Sequence, residues 1–274
     1  MSHGDIPFAI SITDLEGWNY VPTDFRRLLR LNPKGCFMAV AGGKRVGLTT
    51  AVSFGKVGWI GNVIVQPGFR GRGIGGDLVG AAIAYLQNEG VETVRLNSYL
   101  ETVQFYEDLG FKSEYENIRF TGQVVGNVGA QIDCAPCKDL KQVISMDRRF
   151  FGANRSELLS SLSFEFPKTF LCVGNQKLKG YIVGQVHEGF CEIAPWVTNP
   201  GNTSAVKELW QGLQKKLGVT QVAFTAPTRS KQAMDAARWM GVKQGFRTLR
   251  MSMGKNAHNG RPEGILGLAG LDKG

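Results

Sequence analysis

A chain of 274 residues suits one large or two modest domains, and its 43% apolar and 20% charged residues exclude a disordered, collagen-like or coiled-coil protein. No apolar run reaches the length of a spanning helix, and the opening MSHGDIPFAISITD has no basic segment ahead of a hydrophobic one, which predicts a soluble, cytoplasmic protein with no membrane partner. The excess of 32 Lys+Arg over 23 Asp+Glu, a net charge of +9, favours anionic ligands. Basic runs no longer than two residues, and the lack of a helix-turn-helix, finger or RNP-like pattern, argue against nucleic acid.

In chain order, Phe8 to Thr13 alternates like a strand, and Pro22 to Leu31 reads as a helix with Pro at its start and Phe25, Leu28 and Leu29 on one side. Cys36 to Ala41 and Val46 to Phe54 read as a hairpin around Gly42-Gly43-Lys44-Arg45. Trp59 to Gln66 follows as a central strand ended by Pro67. After a glycine-rich loop, Ile74, Leu78, Val79, Ala82, Ile83 and Leu86 form a helical stripe that stops at Asn88-Glu89-Gly90. Val91 to Tyr99 is the next strand, Glu101 to Leu109 a short helix, and Phe111 to Phe120 a last strand.

Residues 123–145 interrupt this pattern and are read as a linker between a domain at 1–122 and a second at 146–274, with Ile265 to Leu271 apolar enough to add a terminal edge strand. The second domain repeats the first. FMAVAGGKRVGLTTAVSFGKVGWIGNVIVQPG from Phe37 matches FLCVGNQKLKGYIVGQVHEGFCEIAPWVTNPG from Phe170 without a gap, keeping Val40/Val173, Gly47/Gly180, Ile60/Ile193 and Pro67/Pro200 in register.

The chemistry is concentrated in Gln66-Pro67-Gly68-Phe69-Arg70-Gly71-Arg72-Gly73-Ile74-Gly75-Gly76. Missing side chains there expose backbone N–H groups at a helix N-terminus, an anion site to which Arg70 and Arg72 add charge. Neither the spacing of a Rossmann fingerprint nor a Walker Gly-Lys-Ser/Thr is present.

Arg70-x-x-Gly73-x-Gly75, with Val63-Ile64-Val65-x-Pro67 before it and Phe105-Tyr106-Glu107-Asp108-Leu109-Gly110-Phe111 after it, resembles the (Q/R)-x-x-G-x-(G/A) motif and its setting in the GNAT superfamily of Gcn5-related N-acetyltransferases. The two copies together resemble tandem-GNAT proteins of the YitH type. The resemblance implies an α/β (α+β) fold of two tandem GNAT-like domains, each a mixed, mostly antiparallel sheet flanked by helices. It further implies acetyl transfer from acetyl-CoA, as co-substrate, to a primary amine of a small molecule by direct attack. In that family the pyrophosphate sits on the loop, here Arg70, Gly71, Arg72, Gly73, Ile74, Gly75 and Gly76. The pantetheine pairs with the central strand, here Val63, Ile64 and Val65, and the tyrosine at the position of Tyr106 acts as general acid. By pattern alone, Tyr106 on an apolar helix face is also a core residue.

Two departures accompany the match. Tyr99 and Thr102 stand where many relatives carry Asn and Ala, and the strand from Trp59 to Gln66 offers no carboxylate, so water, Glu101 or a residue of the other domain is left to act as base. In the second copy the gapless alignment sets Thr203, Val206 and Glu208 opposite Arg70, Gly73 and Gly75, and Ala237 stands at the tyrosine position. That half is expected to be non-catalytic. A CoA-sensing or protein-binding module without turnover is the alternative function, and a monomer and a homodimer are both compatible.

The remaining signals are smaller. The five cysteines are an odd number, which predicts free thiols; Cys134-Ala-Pro-Cys137, without a second pair nearby, predicts no metal. His187, Glu188 and Glu192 could reach an amine, with a solvated hairpin turn as the plainer reading. Trp18, Tyr20, Phe54 and Trp59 could wall a pocket, with core packing as the plainer reading.

Overall fold

The computed structural model describes residues 1–124, 136–137, 139–174, 176–187, 189–218 and 220–274. The first half runs α1 (Ile6–Asp14), α2 (Pro22–Leu31), β1 (Cys36–Ala41), β2 (Lys44–Ser53), β3 (Val57–Val65), α3 (Ile74–Asn88), β4 (Thr93–Tyr99), α4 (Val103–Asp108) and β5 (Lys112–Val124). The second half repeats the order as α5 (Leu140–Phe151), α6 (Ser156–Glu165), β6 (Phe170–Val173), β7 (Gly180–His187), β8 (Phe190–Thr198), α7 (Thr203–Gln214), β9 (Thr220–Pro227), α8 (Lys231–Met240) and β10 (Lys243–Gly254), and adds β11 (Ile265–Gly267).

The strand expected at Phe8–Thr13 is helix α1. Its β-branched residues alternate as a strand would, but the buried positions Ile6, Ala9, Ile12 and Thr13 follow a helical period, and packing against the core decides over propensity. Helix α5 starts at Leu140, inside the stretch read as linker, where the Asp139 carboxylate accepts from the N–H groups of Lys141 and Gln142 at 3.1 and 3.3 Å.

All the strands form one sheet in the order β1-β2-β3-β4-β10-β5-β9-β8-β7-β6, mostly antiparallel, with β11 added to β8. The halves exchange their last strands: β10, from the second, lies between β4 and β5 of the first, and β5 pairs with β9 over Asn117–Val124. Strand alternation divides the cores. Trp59 points into a core that α1, α2, α5 and α6 share, while its neighbour Ile60 points into the core under α3 and α4. A third core lies under α7 and α8 and takes Ile182 and Trp196. Phe54 and Trp59 are packing residues of the shared core; Trp18 and Tyr20 only edge it.

Across the shared core, Arg27 of α2 reaches Glu165 of α6 with its Nε 3.1 Å from Oε2, and Arg30 lies 3.1 Å from Oε1. Burial pushes the Glu165 carboxyl up, but hydrogen bonds from Arg27 and Ser161 and the charge of Arg27 outweigh it and hold the group below its ordinary 4.5. A carboxylate depressed in the folded state contributes stability above the unfolded pKa and loses it as pH falls through the folded one. Glu165→Gln is therefore expected to lower the melting temperature at pH 7 and to flatten its fall below about pH 4.5; an acid limb parallel to that of the parent would contradict this.

The cysteines depart from the expectation of free thiols. Cys137 and Cys172 form a disulfide, because the chain entering α5 runs beside edge strand β6, with Cys137 N–H donating to Phe170 O at 2.9 Å and Pro136 bridging Leu171. Cys36 and Cys191 are free, and burial pushes both thiols up to about 12. Cys134 and Glu188 lie outside the described residues.

Candidate functional site

The parallel pairing of β3 with β4 covers only Val57↔Thr93, Gly58↔Val94 and Trp59↔Arg95, after which the strands diverge. On the other side of β3, two residues oppose one where the register with β2 slips between Leu48↔Ile64 and Thr50↔Gly61. Asn62 takes a left-handed φ of 54° at this bulge, braced by its Nδ2 on Thr50 Oγ1 at 3.1 Å and by Thr49 Oγ1 donating to Gly61 O at 2.9 Å. Val63, Ile64 and Val65 follow, on the edge of β3 that has left β4.

The loop after β3 turns through Pro67–Phe69 and enters α3 at Gly73, the N-cap, with φ 82°. Gly71 is also left-handed at 72°, a region that disfavours any side chain. Among the described residues, the six consecutive N–H groups from Gly71 to Gly76 donate to no protein acceptor, whereas Asp77 N–H already bonds Gly73 O at 3.0 Å. These donors lie at the positive end of a 15-residue helix. Arg70 folds back, its Nε 2.8 Å from Val65 O and its Nη2 2.5 Å from Glu16. Arg72 donates to Gly68 O at 3.1 Å over the ring of Phe69.

Helix α4 closes this end of the cleft. The ring of Phe105 lies 3.5 Å from where a Cβ on Gly75 would stand. Tyr106 is buried in the core under α3 and α4 with Ile60, Leu96 and Phe111, and burial pushes its phenol well up, so it holds its proton at neutral pH. Among the described residues its hydroxyl has no hydrogen-bond partner. Thr102, at the start of this turn, bonds Tyr99 O at 3.1 Å, and Glu101 is exposed.

The second half differs at each of these points. Eight residues separate β3 from α3 but four separate β8 from α7, so the gapless alignment slips by four: Asn202, not Val206, is the counterpart of Gly73. Its side chain accepts from Ala205 N–H at 3.1 Å, Thr203 N–H bonds Gly201 O at 3.1 Å, and the Gln232 amide oxygen, in the orientation that satisfies both its ends, accepts from Gly201 and Asn202 N–H. Those donors are occupied. The second divergence, where β8 leaves β9 beyond Glu192↔Ala223, is filled by the tail: Ile265 pairs Val197, Gly267 pairs Trp196, and Leu268 N–H reaches Thr225 O at 2.8 Å. The segment expected as an edge strand is thus interior, on the residues equivalent to Val63 and Ile64. Ala237 is buried in the core under α7.

Two family models match in succession: "Acetyltransferase (GNAT) family" over residues 9–111 and "Acetyltransferase (GNAT) domain" over 143–267. The chain is a tandem GNAT protein. The holothin acyltransferase of a Pseudoalteromonas species is 25% identical over 267 residues, 94% of this chain and 88% of that one. Among solved structures, a putative acetyltransferase from Pyrococcus horikoshii superposes with a TM-score of 0.80 at 21% identity, covering 100% of this chain and 94% of that one. A tandem GNAT protein from the clavulanic acid biosynthesis pathway gives 0.60 at 13% identity, covering 92% and 94%.

Sequence reasoning did not find the part played by the second half here. Glu192 is not a solvated turn residue: its carboxylate takes Arg119 at 2.5 and 2.6 Å, and burial pushes it up against the lowering effect of that cation. His187 ends β7 with its ring 6.0 Å from Phe166. The tail beyond β11 crosses to the first half, where Leu271 O accepts from Trp59 Nε1 at 3.0 Å and Asn97 Nδ2 at 2.9 Å. No local pattern in the sequence signals that crossing.

Proposed function

We propose that the first half transfers the acetyl group of acetyl-CoA to a primary amine of a small molecule in the cytoplasm, and that the second half holds no cofactor. The observation that carries this reading is the contrast between the six unengaged N–H groups of Gly71 to Gly76 beside the free edge of β3 and the same two positions, capped and filled, in the tail-bound half. Diphosphate oxygens would take those N–H groups and the helix dipole, with Arg72 at the periphery. The pantetheine would pair with Val63, Ile64 and Val65 as an added strand. A β3 N–H beside the bulge would then face the thioester oxygen as charge develops on it, a preorganised donor worth about 3 kcal/mol.

Tyr106 would donate its proton to the departing sulfur. Its burial keeps the phenol protonated, and its ring lies 4.9 Å from that of Phe105, the α4 residue that packs beside Gly75. Calorimetry with CoA tests the first part: one site per chain is expected. For the second, Tyr106→Phe should lower the rate of amine-dependent thiol release roughly 100-fold with CoA affinity unchanged. Full CoA binding with no thiol release from any amine would favour a sensor; absence of CoA binding would refute both.

A further inference from the structure

Strand β3 offers no carboxylate of its own, and the far end of the chain brings one beside it. Gly61, where β3 parts from β4, has no room for a side chain: a Cβ there would lie 2.5 Å from Cα and Cβ of Asp272. The tail is fixed at that point by Trp59 from β3 and Asn97 from β4, both on Leu271 O, so Asp272 sits across the opening between the two strands. Its side chain is 3% exposed. Oδ1 accepts from Lys273 Nζ at 2.8 Å, Oδ2 is buried without a donor at full hydrogen-bond geometry among the described residues, and the Tyr20 hydroxyl approaches the same carboxylate, its phenol pushed up by burial and by that charge. A buried carboxylate oxygen without a donor is costly unless something else meets it.

The surroundings indicate what that is. The groups that feel the Asp272 charge are Tyr20 from the α1–α2 loop, Arg27 from α2 and Cys36 from β1, with Lys273 paired to it; Asp24 acts in turn on Tyr20 and Arg27, and Glu192 feels Lys273 and Asp24. Tyr20 stands between Asp272 and the bulge residue Asn62. Arg27 is engaged by Asp24 and Glu165, and Arg119 by Glu192, which leaves Lys273 as the cation paired with Asp272. From Tyr20 a string of rings leads outward: Trp18 at 6.4 Å, then Tyr99, then Phe246 at 5.3 Å from Tyr99 and 44% exposed.

We propose that Asp272 is the proton acceptor for the amine substrate, and that the substrate is a primary amine on an aromatic body that lies along Trp18, Tyr99 and Phe246. This rests on the transfer reading above. The ammonium gives one proton to Asp272 Oδ2. The nitrogen lone pair then bonds the thioester carbon, and the C–S bond breaks with its electrons on sulfur. Sulfur takes the Tyr106 proton, and the second N–H proton, shed as the amide forms, restores Tyr106 through water. Asp272 releases its proton to solvent.

The test is thiol release from acetyl-CoA with tyramine, tryptamine, ethanolamine and putrescine, for the full chain, Asp272→Asn and Asp272→Ala. Asn keeps an oxygen for Lys273 and the fit over Gly61. Expected are faster turnover of the two aromatic amines and, in Asp272→Asn, a loss of about 100-fold in kcat/KM together with loss of the acid limb of its pH profile. CoA affinity should stay within twofold, and added formate should partly restore Asp272→Ala. Wild-type activity with none of the amines would sink the transfer reading and this one with it. Turnover with an unchanged Asp272→Asn pH profile would overturn this proposal alone, as would loss of CoA affinity or of the folded melt in that variant, which would make Asp272 structural. Equal rates with the aliphatic amines would overturn the aromatic assignment.

Discussion

Gly76→Glu should abolish measurable CoA binding while making the free protein slightly more stable. Gly76 is the third residue of α3 and a Cβ there meets nothing within 4 Å, so the new side chain fits. A glutamate at this position folds back on the N-cap N–H as in a capping box, and replacing helical glycine adds propensity; together these give about 0.5–1 kcal/mol of stability. The same carboxylate occupies donors a diphosphate needs and repels its charge. Two charge-assisted hydrogen bonds forfeited at about 2 kcal/mol each correspond to roughly 1000-fold in Kd. The substitution would reproduce in the first half what Asn202 does in the second. Calorimetry and thermal melts of parent and variant decide it: a CoA Kd within threefold of the parent would place the cofactor elsewhere.

Features held by short-range interactions are legible in the sequence. Helix α2 and strand β1 have the bounds expected from Pro22, the apolar spacing and the Gly42-Gly43 turn, because caps and turns act within a few residues. The cradle was legible for the same reason: a run of glycines between a strand and an apolar helix has few other uses. Helix α1 carries a strand-like alternation because local propensity and tertiary packing disagree there. The four-residue slip at Asn202 arose because a gapless match of strands carries no information on a loop beyond them.

Longer-range features left no periodic trace. Nothing in the alternation of β5 or β10 says which neighbour each takes, and the exchange that puts β10 between β4 and β5 is visible only in three dimensions. The same holds for Cys137 with Cys172, which meet because β6 is an edge strand, and for Asp272 with Gly61. The candidate site is therefore half local and half assembled: its glycine-rich loop belongs to the first half, and the tail that reaches Gly61 and Trp59 comes from the second.

The exchanged strand brings two buried arginines together, Arg95 on β4 and Arg250 on β10, with side chains 0% and 3% exposed. Glu114 of β5 lies between them, Oε1 3.4 Å from Arg95 Nε and Oε2 2.8 Å from Arg250 Nε, the latter an ion pair whose angle does not make a hydrogen bond. Arg250 is also flanked by the rings of Trp59 at 5.4 Å and Tyr115 at 5.0 Å, which joins all three strands to β3. Burial, then the charge of Arg250, pulls Arg95 down to about 10 even with Glu114 present. Glu114→Gln leaves two cations facing each other out of water and should cost about 3–5 kcal/mol, a fall in Tm of roughly 10 °C for a chain of this size. Replacing the set together, as Arg95→Met, Glu114→Leu and Arg250→Met, should cost less than the single change, since no charge is then stranded. The pH dependence has a definite sign. A cation whose folded pKa is depressed binds fewer protons folded than unfolded, so stability rises with pH above that folded value. Without Glu114 the Arg95 value falls further and the window opens lower, so the Tm gap between variant and parent should narrow between pH 8 and pH 10. A gap under about 1 kcal/mol at pH 7, or one that widens with pH, would show that Glu114 does not hold this pair.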